Sequence, residues 1–255
     1  MRAFLIAAIA ACLSCPSALE AAVKKAAPAG SGRLSPQSVP EALRPAVKAE
    51  VEKSTATPSY TDQVLAKLME WDSALTSLKA GFTQTVLFSE AGLEQKVEGT
   101  LSYLKPDRLR IEHRTPTHQI IVTDKKDIWI YKPADSQAVK TRWEDWKNLQ
   151  NSGFSGIMDF GNYAELASRN KVTAVPPAGP GGMVKLILTP VDRSGLYTLT
   201  LMLSATDYFP ARADLVVESA KISTVLDETE RNAGLDEKLF DFTPPKGTEI
   251  INFKK

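Results

Sequence analysis

Cysteine is nearly absent: the 255-residue chain has two, Cys12 and Cys15, both close to the N-terminus. Beyond them no disulfide can brace a fold and no thiolate can ligate a metal. Histidine is equally scarce, with His113 and His118 on neighbouring predicted strands. Zinc asks for three or four N, S or O ligands, so this pair, without a carboxylate cluster beside it, reads as exposed strand histidines, and no metal is expected. Neither a Gly-x-Ser-x-Gly elbow nor a phosphate-cradling glycine loop occurs, which removes the local machinery of serine hydrolases and nucleotide enzymes, and no cofactor is expected. The carboxylates of "EDW" at 144–146 and "LDETE" at 226–230 fall on expected loops and strand ends, and no spacing pairs them across a cleft. No catalytic residue is singled out, and the chain is expected not to be an enzyme. An excess of charge is missing as well: 31 Lys+Arg stand against 30 Asp+Glu, a formal charge of +1, which gives nucleic acid no electrostatic reason to bind.

The apolar run from Ala3 to Leu13, behind Arg2, is too short to span a bilayer as a helix. With the small residues after it, it has the layout of a secretory signal, assigned to 1–22. "IAAC" at 9–12 also has the small-residue-then-Cys form by which lipoprotein signals present a lipid-accepting cysteine. Two fates stay open: a cleaved signal and a diffusible protein, or a lipid anchor at Cys12. Residues 23–58 are rich in Ala, Pro, Ser and Lys and poor in large apolar side chains, so they cannot bury enough surface to offset their ordering entropy. They read as a disordered linker, a tether in the anchored case and a tail in the other.

Residues 59–255 read as one domain. Val64, Leu65, Leu68, Trp71, Leu75 and Leu78 recur at helical spacing, which predicts a helix over 61–79, capped by Ser59 or Thr61 and ended by Gly81. Short β-like runs follow at 81–89, 95–104, 107–114, 117–123, 127–132 and 137–142, joined by the tight turns Lys105-Pro106-Asp107 and Asp124-Lys125-Lys126. That spacing predicts an antiparallel meander. Over 143–170 the pattern becomes helical, with Ile157, Met158, Phe160, Tyr163, Leu166 and Ala167 as its apolar set, broken by Gly153, Gly156 and Gly161-Asn162. A short, broken, apolar helical insertion between strands is a natural lid. Strands resume at 171–175, 182–191, 196–204, 210–218 and 220–229, and "LFDFTPPKGTEIINF" closes the chain at 239–253.

Period two puts a consistent apolar stripe on one face of these strands. It comprises Leu101 and Tyr103, then Leu109 and Ile111, then Ile128 and Ile130. It continues with Val184, Leu186 and Leu188, with Tyr197, Leu199, Leu201 and Leu203, and with Leu215 and Val217. A sheet of more than ten strands tends to curl, which turns the stripe into the inside of a barrel-like half shell. The helix 61–79 and the lid 143–168 are the apolar pieces available to plug it.

The order of these pieces resembles the LolA family, the periplasmic carriers that ferry lipoproteins from the inner to the outer membrane, and its relative LolB, the outer-membrane receptor. The resemblance is carried by "GFTQTV" at 81–86, "GTLSYLKPDRLRIE" at 99–112, "IVTDKKDIWIYKPADSQAV" at 121–139 and "FDFTPPKGTEII" at 240–251. The D-x-K-x-x-W-x-Y-x-P-x-x-x-Q pattern from Asp124 to Gln137 is its most specific part. It implies an α+β fold: a highly curved antiparallel sheet of about eleven strands forming an unclosed β-barrel, covered by an N-terminal helix and a helical lid. It implies an apolar cavity for the acyl chains of lipidated lipoproteins, lined here by Leu101, Tyr103, Leu109, Ile111, Ile128, Ile130, Leu186, Leu188, Leu199 and Leu201. Ile157, Met158, Phe160, Tyr163 and Leu166 belong to the lid. A basic residue before the proline of the turn latches that lid through its backbone in the family, and Lys105 stands there. The implied partners are an inner-membrane lipoprotein release complex and an outer-membrane receptor, in the periplasm, with the protein a monomer. Some carriers have an extra strand or loop after the "TPP-x-G" segment, where only "TEIINFKK" follows here. Two other readings share the fold: an anchored LolB-like receptor, and a non-transporting envelope lipid-sensing or regulatory module with its interior filled by Trp71, Phe82, Trp129 and the lid.

Overall fold

Ser59 caps the first helix. Its hydroxyl accepts the Asp62 amide at 3.2 Å while the Asp62 carboxylate accepts the Ser59 amide at 3.1 Å, a reciprocal capping box that opens α1, Tyr60–Ala74. The structure is a computed structural model and describes residues 58–124, 126–143, 145, 160–191 and 197–252. Cys12, the signal, nearly all of the linker, Ile157 and Met158 lie outside the described residues. Thr61, the other capping candidate, has a different role, because its Oγ1 accepts the amide of Ala174 at 3.0 Å and so occupies an edge of the sheet.

The strands are β1 (Ser77–Phe88), β2 (Leu93–Leu104), β3 (Arg108–Thr115), β4 (Gln119–Thr123), β5 (Asp127–Lys132) and β6 (Gln137–Arg142). Helix α2 (Tyr163–Ser168) precedes β7 (Asn170–Val175), β8 (Met183–Pro190), β9 (Tyr197–Ser204), β10 (Pro210–Val217) and β11 (Ala220–Arg231), and β12 (Glu249–Asn252) comes last. They form one curved sheet of 12 strands in the order β12-β6-β5-β4-β3-β2-β1-β11-β10-β9-β8-β7. Two antiparallel meanders, β1–β6 and β7–β11, are thus sewn together where β1 meets β11. The outer strands β7 and β12 do not pair with each other, so the barrel is unclosed. The family resemblance implied about eleven strands; the additional one is β12, Glu249–Asn252, which lies parallel to β6.

Alternation sorts the side chains onto two faces. Registers such as Leu78↔Tyr103, Leu101↔Ile111, Ile111↔Ile121 and Ile121↔Ile130 carry one apolar layer across the first meander. Leu188↔Leu199 and Leu199↔Leu215 carry it across the second. This inner layer packs against Val64 and Leu68 of α1 and Tyr163 and Leu166 of α2. Trp129 lies on the opposite face from Ile128 and Ile130, so it does not fill the interior. Its ring sits 5.7 Å from Phe242, and Tyr131 sits 5.6 Å from the same ring. The C-terminal arm therefore straps the outer face through a 3-10 turn, Glu237–Phe240, anchored by Arg108 on Glu237 at 2.8 Å.

The first helix is shorter than its apolar spacing predicts. It stops at Ala74, and Leu78 belongs to β1. Asn232 decides this: its Oδ1 accepts both the amide and the hydroxyl of Thr76, at 2.8 and 3.0 Å, which draws the chain out of the helix. Gly81 is no terminator. It lies within β1 at an irregularity of the β1–β11 ladder, where a Cβ would run into the Asp227 side chain.

Candidate functional site

The concave face is a largely apolar wall. All ten side chains expected to line it point inward: Leu101, Leu186 and Leu201 are 0 % exposed, and Tyr103, Leu109, Ile111, Ile128, Ile130, Leu188 and Leu199 are buried with them. Among the described residues, α1, Phe160 and α2 cover the wall. Trp71 of α1 makes ring contacts with Phe160 at 6.4 Å, Tyr163 at 6.5 Å and Phe209 at 5.6 Å, while Phe160 also meets Tyr103 at 5.6 Å. This aromatic cluster closes the end of the shell beside the turn at 105–107. Three of the five lid residues, Phe160, Tyr163 and Leu166, are buried in it or next to it. At the other end, Phe88, Val217 and Tyr197 are only half-buried. Cross-strand registers place Phe88 beside Ala220, Ala220 beside Val217 and Val217 beside Tyr197, so they form a rim.

The fastening of the cover is electrostatic and comes from Asp72, near the C-terminal end of α1. Its carboxylate is 8 % exposed and accepts the Gly161 amide at 2.6 Å and the Tyr163 amide at 3.4 Å. A carboxylate taking backbone amides at the start of a helix satisfies donors that have no partner within the helix. Gly161 is required there: it adopts φ +77°, and a Cβ would lie 2.6 Å from the Tyr103 hydroxyl. Burial, then the nearby Asp72 and Asp107 carboxylates, push the Tyr103 pKa up to about 12, so its hydroxyl stays a donor, to the Pro106 carbonyl at 3.2 Å.

Lys105 sits in the turn between β2 and β3, and most of the lid backbone that the resemblance gives it as a partner lies outside the described residues. Among the described residues its ammonium donates to the Ser73 carbonyl at 2.6 Å, tying the turn to the last turn of α1. The two histidines part company. His118 is exposed, with Nε2 2.9 Å from Glu112 Oε1. His113 is buried, edge-on to Phe82 at 5.7 Å, which corrects the expectation that both are exposed. Burial holds its pKa below 6.5, against the opposite pull of Gln119 beside it, so the ring is neutral at neutral pH. Among the described residues no group of three or more His, Cys, Asp or Glu side chains is placed to hold a metal ion. No helix among them is long and apolar enough to cross a membrane.

A family profile described as "Outer membrane lipoprotein carrier protein LolA" matches residues 73–243. The chain belongs to the LolA family. Curated relatives carry the name outer-membrane lipoprotein carrier protein. That of Dechloromonas aromatica is 31 % identical over 179 residues, covering 69 % of this chain and 81 % of its own. That of Sodalis glossinidius is 28 % identical over 183 residues, with the same coverage. A solved structure of an uncharacterized conserved protein from Thermus thermophilus shares the fold at a TM-score of 0.50, with 13 % identity over 75 % of this chain and 98 % of that one. The LolA family is one of lipoprotein carriers and not of enzymes.

Asp72 has no distinctive signal in the sequence. In "KLMEWDSALTSLK" it looks like any solvated acid on an amphipathic helix, and the only signal is that it stands next to Trp71 on the apolar side. Gly161 was legible as a break but not as half of a fastening.

Proposed function

We propose that this protein is a periplasmic carrier that binds the acyl chains of lipoproteins along its concave face and passes them toward the outer membrane. The observation that carries this reading is the pairing of a largely apolar wall with a cover, α2, that belongs to a separate element and is fastened to α1 through Asp72. Each acyl methylene exposed to water costs about 0.8 kcal/mol, so a protein bearing three chains cannot cross an aqueous compartment without an apolar host. A wall of Leu, Ile and Val makes the exchange with a bilayer close to neutral, which lets cargo enter and leave.

Trp71, Phe160, Tyr163 and Leu166 pack into the shell and cover that part of the wall. Cargo displaces α2 from α1, with the Asp72 contacts as the part that breaks. The closed state thus taxes binding, and the tax is returned on release. On this reading residues 1–22 are the export signal, 23–58 the linker and 59–255 the carrier domain. The inner-membrane release complex and the outer-membrane receptor are the partners on either side. The "IAAC" at 9–12 favours one further possibility, an anchored receptor on the same fold. Fatty-acid labelling of Cys12 separates it from a diffusible carrier.

The test is native mass spectrometry of the exported protein after incubation with a purified triacylated lipoprotein in mild detergent. A one-to-one complex is expected. Phe88→Glu with Val217→Glu puts charge on the half-buried rim, where the fold tolerates it better than in the core, and abolishes the complex while circular dichroism stays unchanged. Absence of a complex with every lipidated cargo tried would rule the carrier reading out in favour of a regulatory module.

A further inference from the structure

Buried polar side chains interrupt the apolar wall, Thr123 and Thr141 at the level of Leu109 and Ile128 and a second set further along the strands. The inward stripe of β3 runs Leu109, Ile111, His113, and that of β4 runs Gln119, Ile121, Thr123, with His113 directly opposite Gln119 in the ladder. On the neighbouring strands Gln84 donates to Thr224 Oγ1 at 3.0 Å, so that pair supplies itself. Gln119 does not: it is 3 % exposed, and neither Nε2 nor Oε1 reaches hydrogen-bond geometry with a partner among the described residues, although the side chain lies close enough to His113 to pull on its proton affinity. His113, 9 % exposed, faces the same interior beside it. Phe82 covers the β2 side of the imidazole, where Gly99 leaves room for the phenyl ring.

A buried carboxamide without partners destabilises the protein that carries it, and a leucine of similar volume would fit the surrounding wall better. Such a residue signals a partner that the empty protein does not hold. The chemistry of the pair narrows the class. A neutral imidazole and a carboxamide both offer donors and acceptors and no charge, which suits an uncharged carbonyl rather than a carboxylate or a phosphate. His118 and Glu112 are engaged with each other outside the shell and do not compete.

We propose that His113 and Gln119 form a polar subsite on the concave wall for the acyl carbonyl, ester or amide, that joins a bound lipid's chains to its polar part. This rests on the acyl-chain reading above and adds to it a fixed depth: the chains run along the wall on either side of the belt, and the carbonyl stops at it. A carrier so built distinguishes acylated cargo from plain hydrocarbon, which apolar packing alone does not do.

The experiment uses the exported protein and two probes, 1-palmitoyl lysophosphatidylcholine and its 1-O-hexadecyl ether analogue, which have the same chain length and head group and differ in the carbonyl. Binding constants and melting temperatures are measured for the wild type, Gln119→Leu and His113→Phe. The wild type is expected to prefer the ester about five-fold, the ratio that one net hydrogen bond gives. Gln119→Leu removes that preference, keeps the affinity for the ether and raises the melting temperature of the empty protein; His113→Phe also removes it. A wild type that binds ester and ether equally overturns the subsite and leaves the acyl-chain reading standing. So does a Gln119→Leu variant that melts lower and still prefers the ester, because the amide is then a structural element. Binding of neither probe by any of the three proteins overturns the acyl-chain reading itself, and the subsite with it.

Discussion

Asp72 joins two elements that are far apart in sequence, with Gly161 lying 89 positions further along the chain. Asp72→Ala leaves two amides at the start of α2 without their acceptor and is expected to cost about 1–3 kcal/mol in urea unfolding, with Asp72→Asn losing less because one oxygen remains. Because the closed cover opposes loading, the same variants are expected to bind lipoprotein more tightly; weaker binding would mean that Asp72 positions the site rather than closing it. Gly161→Ala meets both a positive φ and the Tyr103 hydroxyl and is expected to lower the melting temperature. His113 sets a pH dependence. Burial depresses its pKa below 6.5, so the unfolded chain takes up the proton first as pH falls. The stability that goes with the neutral ring is complete above about pH 6.5 and is lost as pH falls below it, through the folded pKa. Urea midpoints between about pH 7 and pH 5 are expected to fall in the wild type and to fall less in His113→Phe. Asp124 and Asp207 are different. Burial opposes their ionisation, but backbone amides and, for Asp207, Ser204 and Arg231 outweigh it and hold their pKa values below 3.8. Their contribution is lost only in stronger acid.

At the scale of elements, α1 does three jobs: it plugs the shell with Val64 and Leu68, covers the edge of β7 through Thr61, and fastens α2 through Asp72. Its start depends on the capping box, and Ser59→Ala is expected to cost about 1 kcal/mol, measured by thermal unfolding. Helix α2 has six residues, too few to be stable by itself, so its order derives from the contacts it makes. Hydrogen exchange is therefore expected to speed up at residues 160–168 when lipoprotein is bound, while β1, β2 and β11 stay protected. Unchanged exchange there would mean that cargo enters without displacing the cover. The strand β12 is an edge strand of four residues whose Ile250 is 48 % exposed. Deleting residues 248–255 is expected to leave the concave wall and its cargo binding intact. Phe242→Ala, which uncovers Trp129 and Tyr131, is expected to destabilise more.

The described sheet is an open shell whose two meanders share one seam, β1 against β11, and whose far edges do not pair. An unclosed sheet can widen around a guest without breaking a ladder, which a closed barrel cannot do. Strands β6 and β7 lie toward opposite ends of the strand order, and α2, which precedes β7, packs on the inner layer. That suits a carrier, whose host surface has to be apolar when loaded and hidden when empty.

The sequence alone determined the strands and their inward stripes, because a period of two is a local property and one buried face enforces it; β5 and β6 fall where "DIWIYK" and "QAVKTR" place them. It also determined the turns and enough of the residue order for the family. The tertiary structure decided what depends on distant partners. Leu75 and Leu78 fit a helical stripe, yet Asn232, 156 positions from Thr76, takes that residue and begins a strand there. Lys105 holds Ser73 because the turn at 105–107 lies beside the end of α1. Trp129 faces outward because alternation had already given the inside to Ile128 and Ile130, and Phe242 returns to cover it. Asp72, His113 and Gln119 have ordinary local contexts, and their burial is set by the curvature of the sheet and by what is packed against it. Periodicity is written within a few residues; a buried polar group acquires its meaning only from partners that folding brings to it.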